Sequence, residues 1–157
     1  MQRMSVQRRQ AGFTMVESLV ALVVLSIGML GIAALYLDSL RAGRTAIYRT
    51  QAVNLAADLA DRIRANRVAV GGYNIDVGED GALEPSCYTT AGCTAGELAG
   101  TDLAAWKAQL AQQLPGGDGS IAVVAGAGGE PSRYVVTVTW TEVGEAAPLT
   151  YVLEFRS

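Results

Sequence analysis

Residues 12–37 read GFTMVESLVALVVLSIGMLGIAALYL, and their reading decides the fold. From Ser18 to Leu37 there is no charged residue, and the first charge beyond the run is Asp38. About 20 residues in an α-helix, at 1.5 Å each, span roughly 30 Å, the hydrocarbon thickness of a bilayer. Upstream, residues 1–12 read MQRMSVQRRQAG and carry Arg3, Arg8 and Arg9 but no acid. Between leader and run stands one charge, Glu17.

General rules offer two readings of such a segment. A secretory signal peptide would be removed after the apolar run, and Gly31-Ile32-Ala33 supplies a small-x-small cleavage site. The run is longer than a usual signal core, and its helical pattern continues past that point. A bitopic inner-membrane protein would retain its leader, with the basic residues held on the cytoplasmic side. Arg41, Arg44 and Arg49 on the far side weaken that charge argument. Glu17 separates these readings from a third. A carboxylate at the centre of a bilayer costs about 2–3 kcal/mol or more. Near one end the cost is smaller, and the helix dipole favours an acid in the first turn. It remains an odd choice unless a partner meets it.

Gly12-Phe13-Thr14-Met15-Val16-Glu17, followed by SLVALVVLSIGMLGI, resembles the class III signal of type IV prepilins and pseudopilins. The resemblance implies that a prepilin peptidase cuts between Gly12 and Phe13 and, acting as a methylase, modifies the new amino group of Phe13. Glu17 becomes the fifth residue of the mature chain and pairs with the N-terminal amine of a neighbouring subunit, setting the assembly register. Physics agrees, because two charges in a lipid-like filament core are tolerable only if they meet. The implied partners are the lipid bilayer before assembly, an inner-membrane assembly platform, the major pilin and other minor pilins. The implied location is the inner membrane with a periplasmic C-terminal domain, then a surface filament.

Beyond the run, Arg41 to Asn66 contains no proline, and Gly43 is its only glycine. Tyr48, Ala52, Leu55, Leu59 and Ile63 recur on one helical face. Asp58, Asp61 and Arg62 lie off it. Arg62, Arg64 and Arg67 cluster where cations suit a helix C-terminus, and Gly71-Gly72 is a stop signal. Residues 14–67 are thus expected to form one helix of roughly 80 Å, apolar all round at first and amphipathic afterwards. Four segments follow: a leader (1–12), a membrane or filament-core helix (13–37), its amphipathic continuation (38–67) and a globular domain (68–157).

Residues 71–100 read as loop. Within them Cys87 and Cys93 bracket a small Gly-containing stretch that can close a disulfide without strain. The spacing is not Cys-x-x-Cys, and the far side of the membrane is oxidising. TDLAAWKAQLAQQL, residues 101–114, reads as a helix capped by Thr101 or Asp102, with Leu103, Trp106, Leu110 and Leu114 in one stripe. Residues 120–125, 132–143 and 149–156 alternate polar and apolar and read as antiparallel strands, with Tyr73 to Val77 a possible fourth. The fold class is α+β: a long N-terminal helix packed on an antiparallel sheet of three to four strands.

Composition narrows the chemistry. Half of the residues are hydrophobic but only 6% are aromatic, and the formal charge is −3. With no histidine, imidazole metal ligands and Ser-His or Cys-His nucleophile systems are excluded. Two cysteines are too few for a four-thiolate zinc site. Neither an enzyme nor a cofactor is expected. The acidic balance disfavours nucleic acid as a partner, the more so once three arginines leave with the leader. The order short cysteine loop, then TDLAAWKAQLAQQLPGG, then YVVTVTW is similar to minor pilins of the PilV type. In the commonest major pilins the disulfide closes a loop near the C-terminus, whereas here the cysteines precede the sheet. The resemblance therefore implies a minor pilin that primes or promotes type IV pilus assembly within a tip complex, or a minor pseudopilin of a type II secretion system.

Overall fold

The computed structural model describes residues 12–128 and 130–157. The basic leader, apart from Gly12, lies outside the described residues. Internal contacts divide the chain into one unit ending at Gly43 and a second, Arg44–Ser157. The architecture is α+β, with a long N-terminal helix packed on a three-stranded antiparallel sheet.

Helix α1, Met15–Ala65, enters both units. In the first, every one of its residues is exposed. In the second, Ala52, Leu55, Ala56, Leu59, Ala60 and Ile63 are buried, and Tyr48 packs against them. That face recurs at three- and four-residue steps, as an amphipathic helix requires. The helix stops at Ala65 rather than 67, and residues Arg67–Tyr73 continue as 3-10 turns. Asn66 explains the change. Its φ and ψ are non-helical, and its amide donates to the Ala95 carbonyl at 2.8 Å and the Tyr73 hydroxyl at 3.2 Å.

The segment expected to be loop holds more structure than its composition suggests. Pro85–Tyr88 forms a 3-10 turn. Helix α2 spans Ala95–Gln113, beginning well before Thr101. Thr94 is the cap: its hydroxyl accepts the Glu97 N–H, while Glu97 accepts the Thr94 N–H at 2.8 Å. This reciprocal box satisfies two orphan donors of the first turn. Thr101 and Asp102, expected as caps, lie inside the helix and serve other contacts.

Strands β1 (Asp118–Val124), β2 (Arg133–Trp140) and β3 (Leu149–Arg156) form the sheet in the order β1-β2-β3. Both pairings are antiparallel; Ile121 stands opposite Val136, and Val136 opposite Leu153. The possible fourth strand reduces to one bridge, Ile75 to Ile121. Gly78, at φ 81°, and the Asp76–Glu79 turn carry the chain away before a ladder can form. β1 starts earlier than expected because Gly119 belongs in it. A Cβ there would stand 2.5 Å from the Trp106 ring and 2.6 Å from the Thr137 carbonyl oxygen.

The core lies between the second part of α1, α2 and one sheet face. Tyr134, Val136, Val138 and Trp140 of β2 are buried with Trp106, Leu103, Leu110 and Leu114. Each such side chain contributes about 1.5–3 kcal/mol through burial. The Arg64 guanidinium sits 4.8 Å from the Phe155 ring centre, beside the first residues of β2. Thr45 donates to Glu142, just past the end of β2. This part of α1 therefore runs opposite to β2.

Candidate functional site at the N-terminal helix

Gly12 and Phe13 precede the first helical turn, and Phe13 is 84% exposed. Nothing lies within 4 Å of where a Gly12 Cβ would be, so the peptide between them is unobstructed on that side. Thr14 opens the helix. Its hydroxyl accepts the Glu17 N–H at 3.3 Å, and its carbonyl accepts the Ser18 N–H at 3.2 Å. Sequence reasoning gave Thr14 no role; a Thr three residues before the first acid is the signal that reveals it. Glu17 thus occupies the first turn, where the helix dipole favours an anion.

From Ser18 to Leu37 no side chain is buried within the chain. Leu19, Val23, Leu30 and Leu35 are all more than half exposed. In water that much apolar surface is costly; lipid or the apolar helices of other chains would relieve it. By length and composition this part of α1 can cross a membrane. Ser26 does not interrupt that character, because its hydroxyl donates to the Leu22 carbonyl at 2.7 Å. Gly28 and Gly31 each have open space where a Cβ would stand, so a neighbouring helix can approach closely there.

The second unit holds the remaining predicted pair. Cys87 and Cys93 are joined as a disulfide, with their Cα atoms 4.9 Å apart. The Thr101 hydroxyl donates to Cys87 Sγ at 3.6 Å and accepts the Glu84 N–H at 3.0 Å, which fixes the loop to α2. Gly12, Phe13 and Glu17 belong to one unit and the cysteines to the other.

Two polar networks in the second unit were not legible beforehand. Asp102 accepts from Arg62 at 3.2 Å and from the Tyr73 hydroxyl at 2.9 Å. Burial first, and the Asp102 carboxylate with it, pushes the Tyr73 phenol well above its ordinary range, although the Asn66 amide opposes this. Lys107, a buried residue of α2, reaches Asp118 at 2.6 Å and the Asp76 carbonyl at 2.9 Å. Burial raises the Asp118 carboxyl, but bonds from Lys107 and the N–H groups of Gly119 and Gly78 outweigh it and hold the group below its usual value. Both networks tie loop to helix. Among the described residues, no cluster of His, Cys, Asp and Glu is suited to a metal ion.

Comparison with known families bears on both units. Residues 34–104 match the family described as Type IV pilin Tt1218, and residues 7–33 match the prokaryotic N-terminal methylation motif. The motif match implies processing by a prepilin peptidase and assembly as a pilin. No curated protein and no solved structure gives a significant match. An exposed apolar helix behind Gly12-Phe13, a small disulfide-bearing α+β unit and these two adjoining matches together support a type IV pilin subunit, and the pilin family is one of structural subunits.

Proposed function

We propose that the chain is a minor pilin of the PilV type that primes or promotes assembly of a type IV pilus. In this reading the peptidase cuts between Gly12 and Phe13, the Phe13 amine is methylated, and the 13–37 helix waits in the inner membrane with the sheet unit periplasmic. Extraction into the filament exchanges lipid for the apolar helices of other subunits, which costs little because both surroundings are apolar. The carboxylate of Glu17 then meets the Phe13 amine of a neighbour, so an otherwise expensive pair of charges fixes the axial register.

One observation carries the reading: Glu17 stands in the first turn of a helix that exposes every apolar residue to Leu37. The placement of Cys87–Cys93 ahead of the sheet supports a minor subunit over the main shaft subunit.

Processing and assembly test it separately. Intact mass of the membrane form should correspond to a chain beginning at methylated Phe13. A start at Met1 would identify a bitopic protein, and a start near Ala34 an ordinary signal peptide. Glu17→Ala should still be processed but should fail to restore surface pili in a strain lacking the chain. Wild-type piliation by that variant would remove the register role.

A further inference from the structure

The two edges of the sheet are not equivalent. In the β1–β2–β3 order, β1 and β3 are both edge strands. Ile121 exchanges both backbone bonds with Ile75, so its N–H and C=O point away from β2. By antiparallel alternation, Gly119 and Val123 point the same way. All three outward N–H groups of β1 are satisfied: Gly119 by Asp118 at 2.7 Å, Ile121 by Ile75 at 2.9 Å, and Val123 by the Asn74 side chain at 3.3 Å. That edge is sealed by the chain itself.

β3 is open. Ser132 and Ser157 exchange both backbone bonds at 3.0 Å, which sets the phase of the β2–β3 ladder. Residues 149, 151, 153 and 155 therefore face β2, and Thr150, Val152, Glu154 and Arg156 direct their N–H and C=O groups outward. Among the described residues β3 pairs with β2 alone. Edges are usually blunted by proline, a bulge or charge. β3 has no proline and runs eight residues in unbroken register. Its two charges are each paired within the chain, Glu154 with Arg133 at 3.2 Å and Arg156 with Glu130 at 3.5 Å. On the core face, Tyr134, Val136 and Val138 of β2 are at most 1% exposed. Their β3 partners Phe155, Leu153 and Tyr151 are only partly buried, so the apolar layer ends unfinished at this edge.

We infer that β3 accepts an added strand from a different subunit of the same filament, an extended segment with alternating apolar and polar residues. This rests on the pilin reading above. The added strand pairs with the outward groups of Thr150, Val152, Glu154 and Arg156, and its apolar side chains extend the Tyr151–Leu153–Phe155 layer. Symmetry argues against edge-to-edge pairing with a second copy and so favours a different chain. Identical subunits in a helical filament repeat one operation, so their contact needs two different complementary surfaces. The sealed β1 edge cannot serve as the complement, and β3-to-β3 pairing needs a two-fold axis that a filament of parallel helices lacks. An edge that accepts one foreign strand and offers none in return suits a subunit used singly.

Hydrogen exchange on the wild-type chain tests this without mutation. In the purified full chain in detergent, the amides of 150, 152, 154 and 156 should exchange freely, with 151, 153 and 155 protected. In sheared filaments the outward set should gain at least ten-fold protection. Val152→Pro removes one outward N–H and leaves the β2 ladder intact, since edge strands tolerate proline on the solvent side. It should be processed to Phe13 and melt with wild type, yet fall at least ten-fold in filaments, whereas Val152→Thr should incorporate normally. Unprotected outward amides in filaments that contain the chain would overturn the inference and leave the pilin reading standing. So would protection that grows with concentration of the purified chain alone, which would assign the edge to a second copy. A chain beginning at Met1 and absent from filaments would remove both.

Discussion

The indole N–H of Trp106 donates to the backbone carbonyl of Leu55 at 3.1 Å, joining α2 to the buried face of α1. That carbonyl also lies within the helix's own ladder, so the bond is an addition and not a rescue. Trp106→Phe keeps a ring in the core and removes the bond. A typical hydrogen bond contributes about 1 kcal/mol, and the smaller ring leaves a partial void. The variant should lose about 2 kcal/mol in denaturant unfolding of the full chain, and Trp106→Ala about 3–5 kcal/mol. A Phe variant as stable as wild type would show that the bond contributes nothing.

Asp102 joins three elements, because Arg62 comes from α1 and Tyr73 from the segment after it. Its side chain is 13% exposed, so its partners lose more than a surface pair would. Asp102→Asn still accepts from Tyr73 but gives up the charge facing Arg62, for an expected loss of about 1–2 kcal/mol. Asp102→Ala leaves the Tyr73 hydroxyl without its acceptor and should lose about 2–3 kcal/mol. Equal losses for the two variants would mean that the charge, not the acceptor, is what matters.

Asp118 gives the second unit an acid sensitivity. Its carboxyl is held below the usual aspartate value despite burial, mainly by Lys107. A depressed folded-state value means the stabilisation is complete above the ordinary aspartate value of about 4, and is lost as pH falls through the folded value. Unfolding free energy should therefore decline as pH falls below the ordinary aspartate value of about 4. Asp118→Asn should be less stable at neutral pH and show a shallower acid decline. Parallel pH profiles for variant and wild type would exclude this pair as the source.

What the sequence disclosed followed from periodicity. The face of Ala52, Leu55, Leu59 and Ile63 and the stripe of Leu103, Trp106, Leu110 and Leu114 are buried because apolar residues at helical spacing have few other solutions. Strand alternation was equally legible. The start of α2 lies earlier than composition suggests, because Thr94 and Glu97 sit in a stretch of small residues that reads as loop. The capping box was present as Thr-x-x-Glu, and a local pattern there outweighs composition. Asp102 with Tyr73 and Lys107 with Asp118 left no such trace, since each pair joins positions set by the tertiary path. The cysteine pair was legible from spacing; that Thr101 anchors it was not.

Thr94 itself supports a prediction. Its hydroxyl accepts the Glu97 N–H at 3.3 Å, and Glu97 returns a bond to the Thr94 N–H. Thr94→Ala should destabilise the second unit by about 1 kcal/mol. Thr94→Ser and Thr94→Asp should lose little, because both retain an oxygen that can cap. Loss of similar size in all three variants would place the effect in packing of the threonine methyl instead of the cap.

The disulfide closes a short loop, Cys87 and Cys93 being six residues apart, so its entropic contribution is small. Chain-entropy arguments give about 2 kcal/mol for a loop of this length. Cys87→Ser should lower stability by about that amount under oxidising conditions, and reduced wild type should match the variant. The Thr101 hydroxyl, which donates to Cys87 Sγ and accepts the Glu84 N–H, keeps its second bond in the variant. Exchange protection of the Glu84 amide should therefore survive reduction. If it is lost along with the bridge, the disulfide and not Thr101 is what holds this loop against α2.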